Sequence, residues 1–206
     1  KYQAGCLSFE IVSGNNKLIC NSGFYYNKNN RLSTLCKSTA AHSTLYIDNH
    51  SSRTLKKLNV EEGLKIISKK INIEKDFDRV IASHNGYQKK YGYLHEREIQ
   101  FFKKKQLFIG KDSLIAGRKA TKVNFGIRFH VHPETKVVKT QNSTTVLLSM
   151  PNGDGWKFTC SDYELIIEKG IYLGNKYKLN NNENIFISGI AEQKDLFINW
   201  TFEKIS

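Results

Sequence analysis

Leu7-Ser-Phe-Glu-Ile-Val12, Ser13-Gly-Asn-Asn16 and Lys17-Leu-Ile-Cys20 decide the fold class. The first stretch alternates apolar and polar residues, which is the two-residue period of a strand with one buried face. Ser-Gly-Asn-Asn supplies turn-forming residues, and Lys17 to Cys20 returns as a second strand that ends at Asn21-Ser-Gly23, so the whole predicts a β-hairpin. The same pattern recurs outward from it. Ser43 to Ile47 forms a strand that breaks at Asp48-Asn-His-Ser-Ser52. Strands are then predicted at Arg79–Ser83, Leu94–Phe102, Gln106–Ile109, Asn124–Val131, Lys136–Lys139, Thr144–Met150, Gly155–Thr159, Tyr163–Glu168, Ile185–Gly189 and Leu196–Glu203. Glu61 to Lys70 suits one or two helical turns, yet its isoleucines suit a strand equally. Many short strands at close spacing, little helix and no Pro-, Gly- or Ser-rich linker predict an all-β, two-sheet antiparallel β-sandwich forming one domain over residues 1–206.

The chain has 206 residues, 39% of them hydrophobic, which is enough for one substantial core. It starts at Lys1 and its single methionine is Met150, so it reads as a piece of a longer protein. No apolar run approaches the ~20 residues needed to span a bilayer, and no signal peptide is evident. A net charge of +13 points to a negatively charged partner: an acidic polysaccharide, a nucleic acid or an anionic membrane. Abundant lysine and asparagine also fit a simple bias in base composition. No basic amphipathic helix, zinc-finger spacing or aromatic RNA-binding signature is present, which places nucleic acid last. Cys6, Cys20, Cys36 and Cys160 include no C-x-x-C pair, which argues against a zinc ribbon or a thioredoxin-like site and favours free, partly buried thiols.

Four of the six histidines lie beside glycine, tyrosine or arginine, in Ala82-Ser-His-Asn-Gly-Tyr87, Tyr93-Leu-His-Glu-Arg97 and Arg128-Phe-His-Val-His-Pro133. His84 closes a strand, and Gly86 lets the backbone turn so that His84 and Tyr87 face a cleft as a candidate catalytic pair. His95 and Arg97 alternate onto one face of the next strand. A guanidinium matches a carboxylate or sulfate in two-point contact, and histidine exchanges protons near neutral pH. His130 and His132, two residues apart, place both imidazoles on one face and join His95 and Arg97 as candidate substrate-binding residues. Each of these groups also suits a purely structural role in pinning loops to a sheet. His42, among small residues at the start of a strand, is by itself most simply a structural histidine.

In order along the chain, Gly5-Cys-Leu-Ser-Phe-Glu10, Leu18-Ile-Cys-Asn-Ser-Gly23, Ser38-Thr-Ala-Ala-His-Ser-Thr-Leu45, His84-Asn-Gly-Tyr87, His95-Glu-Arg97, Arg128-Phe-His-Val-His-Pro133, Pro151-Asn-Gly-Asp-Gly-Trp156 and Tyr172-Leu-Gly174 resemble the C-terminal β-sheet domain of the heparinase II/III-like family. The resemblance implies a supersandwich-like β-domain that follows an N-terminal α/α-toroid in the parent protein. It implies cleavage of uronic-acid polysaccharides by β-elimination, with the tyrosine acid/base on the toroid, so that this segment does not catalyse alone. A periplasmic or cell-envelope location is implied as well.

The resemblance also implies a structural metal, a divalent ion such as zinc, held by a histidine- and aspartate-bearing segment before Leu7-Ser-Phe9, by an aspartate after the next strand, and by a histidine opening a later one. His42 matches the last of these. Tyr2-Gln-Ala-Gly5 carries neither histidine nor acid, and Asn21 stands at the second acidic position. The implied metal site is therefore degraded. The alternative to a lyase domain is a non-catalytic module that binds acidic glycans or serves a structural role.

Overall fold

A computed structural model describes residues 4–25, 31–53, 64–174 and 178–206. Among these residues, fourteen strands form two sheets in which every strand pair is antiparallel. The smaller sheet runs β1 (Ile11–Ser13), β2 (Asn16–Cys20), β8 (Lys122–Val131), β13 (Asn180–Glu192) and β12 (Ile166–Tyr172), with β3 (Leu45–Ile47) also paired to β8. The larger runs β4 (Ile66–Ile73), β5 (Phe77–His84), β6 (Tyr93–Phe102), β7 (Leu107–Ala116), β14 (Leu196–Lys204), β11 (Gly155–Thr159), β10 (Thr145–Ser149) and β9 (Lys136–Lys139). The expected two-sheet sandwich is the fold, and its opening hairpin turns at Ser13–Asn16 as the sequence predicts.

Differences from the sequence expectation lie in lengths and ends. β7 continues to Ala116 and β13 spans Asn180–Glu192, both longer than their apolar cores, because neighbouring strands on each side supply backbone partners past the apolar stretch. Of the ambiguous segment Glu61 to Lys70, residues 61–63 lie outside the described residues, and Ile66 onwards is strand β4, held by β5. Two short helices, α1 (Arg31–Leu35) and α2 (Gln88–Tyr91), were not anticipated; each is a single turn, too short to show a helical period.

The core sits between the sheets and is built on aromatic rings. Phe129 of β8 meets Trp200 of β14 at 5.0 Å and Phe158 of β11 at 5.0 Å, and Phe158 meets Phe202 at 4.6 Å. Phe9 stacks on Trp200 at 5.4 Å, so the segment leading into β1 is locked onto the opposite sheet. Such ring pairs add about 0.5–1.5 kcal/mol each beyond their burial. Trp200 lies flat over Gly110, its register partner on β7, where any Cβ would collide with the indole. The four cysteine thiols are unpaired, three of them buried and Cys6 half-buried.

At the edge of the larger sheet β4 exposes Ile66, Ile67, Ile71 and Ile73. No helix among the described residues is long and apolar enough to cross a membrane.

Candidate functional site

β6 and β7 pair so that Arg97 lies opposite Asp112 and His95 opposite Leu114. The Asp112 carboxylate, fully buried, accepts four hydrogen bonds. His95 Nε2 and Arg97 Nε reach Oδ1 at 2.7 and 2.8 Å, and Arg97 Nη2 and Trp200 Nε1 reach Oδ2 at 2.9 and 2.8 Å. The remaining Arg97 nitrogen, Nη1, donates to the carbonyls of Ser43 at 2.6 Å and Leu7 at 2.9 Å. Arg97 therefore ties the larger sheet to the segments leading into β1 and β3 of the smaller one.

The partners fix where the imidazole protons sit. His95 Nε2 faces a carboxylate and must carry hydrogen, so its Nδ1 accepts from His84 Nε2 at 3.1 Å. His84 Nδ1 is left to accept the Gly86 N–H, also at 3.1 Å. The result is a chain of donors running one way, from the Gly86 amide through both rings to Asp112, with each histidine neutral. Burial pushes the His84 imidazole down to about 2, with the neighbouring His95 and Arg97 adding to the effect. Burial also lowers His95, against the pull of Asp112. For Asp112, burial alone would raise the carboxyl, but the Arg97 charge and the His95 and Arg97 hydrogen bonds overcome it and hold the group below the usual carboxylate range.

His84, Tyr87, His95 and Arg97 do come together, but in the interior rather than on an open cleft. His84 and His95 are fully buried, and Tyr87 donates its hydroxyl hydrogen to the Leu45 carbonyl at 2.9 Å. This corrects the expected seating: strand alternation places residues on a shared face, and in a two-sheet domain the occupied face is the inner one. Asp112 and Trp200, on which the group depends, were not singled out in the sequence. The available signal was a lone acid in the largely apolar strand Leu107–Ala116, opposite a strand bearing histidine and arginine two residues apart.

His42 lies elsewhere, just past a 3-10 turn at Thr39–Ala41. It lines an open pocket of about 370 Å³ with Ala4, Gly5, Cys6, Asn21 and Arg53. Its Nδ1 contacts the Ser38 carbonyl at 2.7 Å, and burial lowers the imidazole against that bond. The pocket brings together the positions at which the resemblance places metal ligands, but the residues there do not fit a metal. Gly5 is packed so closely on the His42 ring that a Cβ would collide with it. The Asn21 amide is engaged at both ends, its oxygen accepting the Ser43 N–H at 2.9 Å and its nitrogen reaching Glu10 at 3.4 Å. Among the described residues no three histidine, cysteine or acidic groups are gathered as a metal site would require.

His130 near the end of β8 lines a second groove, of about 640 Å³, with Arg128, Glu168 and Asn184, and His132 lies just past the strand. His130 is buried between the Ala40 carbonyl, 3.1 Å from Nε2, and the Ser22 hydroxyl, 3.4 Å from Nδ1, and burial pushes it down to about 4. His132 is half-buried, edge-on to Tyr172 at 5.1 Å, and does not line that groove. Arg128 is committed to Glu168 at 2.8 Å and lies between the Tyr46 and Phe186 rings.

A two-sheet β-domain with a buried charged centre and a pocket at the loops before its first and third strands defines the class. The heparinase II/III-like C-terminal family model matches residues 1–201, and the chain belongs to that family. Its fold is similar to that of heparan sulfate lyase HepC from Pedobacter heparinus, with a TM-score of 0.82 and 16% identity, over 99% of this chain and 31% of that one. It is also similar to a heparinase III, the BT4657 gene product, with a TM-score of 0.79 and 14% identity, over 98% of this chain and 30% of that one. The chain thus spans about a third of the length of these proteins. No curated protein matches it by sequence.

Three outcomes are expected. Asp112→Ala leaves the Arg97 charge buried without its partner and should cost about 3–5 kcal/mol in urea unfolding; a loss below about 1 kcal/mol would contradict the central role of the pair. His84, His95 and His130 have lowered pKa values in the folded state, so the unfolded chain takes up protons first as pH falls below its ordinary histidine range. Stability should be full above about pH 6.5 and decline towards pH 4, by up to about 1.4 kcal/mol per pH unit for each histidine, whereas a flat urea midpoint from pH 7.5 to 5 would rule out neutral buried rings. Finally, excess EDTA should leave the melting temperature unchanged and elemental analysis should find no stoichiometric zinc; one metal per chain would refute the misfit.

Proposed function

We propose that this chain is the C-terminal β-domain of a polysaccharide lyase that cleaves acidic, uronic-acid-containing polysaccharides by β-elimination. The observation that carries the reading is the family match over residues 1–201. It is supported by a fold that occupies a third of a heparan sulfate lyase. In this reading an N-terminal α/α-toroid of the parent supplies the tyrosine acid/base, and the acidic polysaccharide runs between the two domains. The parent acts in the periplasm or at the cell envelope.

β-Elimination needs a neutralised substrate carboxylate, a base at the C5 proton and an acid for the departing glycosidic oxygen. The contribution of His84, Tyr87, His95 and Arg97 is then to position rather than to transfer protons, because their polar atoms are spent on one another and on backbone. Arg97 holds the Leu7 and Ser43 carbonyls, and Tyr87 holds that of Leu45, which frame the segments carrying Ser8 and His42 into the pocket. His42 and Arg53 are the groups there with chemistry suited to an anionic sugar. His130 and His132 belong to the neighbouring face.

A non-catalytic glycan-binding module is the second reading, favoured by the lack of histidine and acid in Tyr2–Gly5 and by Asn21 at the second acidic position of the implied metal site. Absorbance of unsaturated uronate separates the two. The toroid-bearing parent should release it from at least one of a panel of acidic polysaccharides, while this chain alone releases none. Binding without product from the parent would leave the module.

A further inference from the structure

Most basic side chains on the larger sheet are matched by carboxylates: Arg79 and Lys111 with Glu98, Lys103 with Asp78, Lys104 with Asp76, and Lys157 with Glu203. Lys69, Lys70, Lys75, Lys105 and Lys136 are likewise without a carboxylate partner among the described residues, but at one end of the sandwich the backbone draws such groups together from separate elements. The Thr121 N–H donates to the Tyr91 carbonyl at 3.1 Å and the Gly117 N–H to the Gly92 carbonyl at 2.8 Å, which seats the β7–β8 turn against α2. This brings Arg118 and Lys119 beside Lys89 and Lys90. Lys65 is added by the hydrogen bond from the Asn85 N–H to its carbonyl at 3.1 Å. All five are exposed, and none is paired with a carboxylate among the described residues. Among the described residues, Glu192 pairs with Lys122, Asp195 accepts the Ala116 N–H and Asp48 the Asn124 N–H.

Two stretches of chain link the basic end to the His42 pocket. Lys90 contacts His50 at 2.7 Å, and the chain runs from His50 through Ser51 and Ser52, both bonded to Thr39, to Arg53 in the pocket wall. On the other side, Gly86 abuts Leu64, which also lines the pocket. We infer that Lys65, Lys89, Lys90, Arg118 and Lys119 form an extended subsite for an acidic polysaccharide, carrying the anionic chain away from the pocket; the inference rests on the glycan reading above. An unpaired row of ammonium and guanidinium groups attracts carboxylates and sulfates along a polymer. Single-stranded nucleic acid would in addition want exposed aromatic platforms, and Tyr87, Tyr91 and Tyr93 at this end are buried.

The test compares two triple variants of this chain, with heparan sulfate as the probe. Lys89→Gln/Arg118→Gln/Lys119→Gln should weaken binding at least tenfold and lower the salt needed for elution. Lys75→Gln/Lys104→Gln/Lys105→Gln removes the same charge from the turns at the far end and should change affinity less than twofold. Equal losses from both triples would show a bulk charge effect and overturn the subsite, as would no loss from the first or no binding by the native chain. Competition by single-stranded DNA of equal length as strong as by heparan sulfate would overturn the choice of ligand. Unsaturated-uronate release by the parent is a separate readout: release at unchanged KM in the first triple sinks the subsite and leaves the lyase, whereas no release by the unaltered parent sinks the lyase while the binding difference stands.

Discussion

The carboxylate of Asp112 is the point on which the two sheets depend. It is taken wholly out of water, and it remains charged because four donors converge on it from the two strands that flank β7, three from β6 and one from β14. A buried charge that has all its hydrogen bonds imposes strict geometry, since any shift of β6 against β7 by one residue would strand both Asp112 and Arg97. Arg97 extends that geometry across the sandwich, through the Ser43 and Leu7 carbonyls, to the loops that shape the His42 pocket. The pocket is thus placed by the core.

How much of this was legible in the sequence follows from what each signal encodes. Period-two alternation reports which residues share a face, so the strands and the sandwich were readable from Leu7–Val12, Asn124–Val131 and Leu196–Glu203. Alternation does not report which face is covered, and for His84, His95 and Arg97 that was the decisive point: chemically active side chains on one face suggest a cleft until a second sheet is laid over them. Asp112 meets His95 across the β6–β7 pairing and Trp200 reaches Asp112 from the far end of the chain, and alternation within one strand reports neither pairing. The Gly5–His42 packing was half visible. The missing acid could be read, but the close approach that fills its place needed coordinates.

The pocket and the buried centre divide the labour of the domain. Where the resemblance implies a metal to gather the loops before β1 and β3, this chain packs a glycine on an imidazole and bonds the Asn21 amide to the Ser43 N–H. Such an arrangement is assembled by packing and is indifferent to metal supply. In the glycan reading proposed above, what the pocket presents to a sugar is then set by His42, Arg53 and backbone groups.

The one-way chain from the Gly86 amide through His84 and His95 to Asp112 has a further implication for how this sequence changes over time. Each ring is a donor on one side and an acceptor on the other, so an exchange of one member must supply both a donor and an acceptor in the same geometry or leave a buried partner unsatisfied. Replacement of His95 by glutamine, for example, keeps a donor for Asp112 but offers His84 a group whose orientation is then dictated from one side only. Substitutions within the set are therefore expected to arise in concert, so that the interior drifts as a unit while the lysines on the surface vary one at a time.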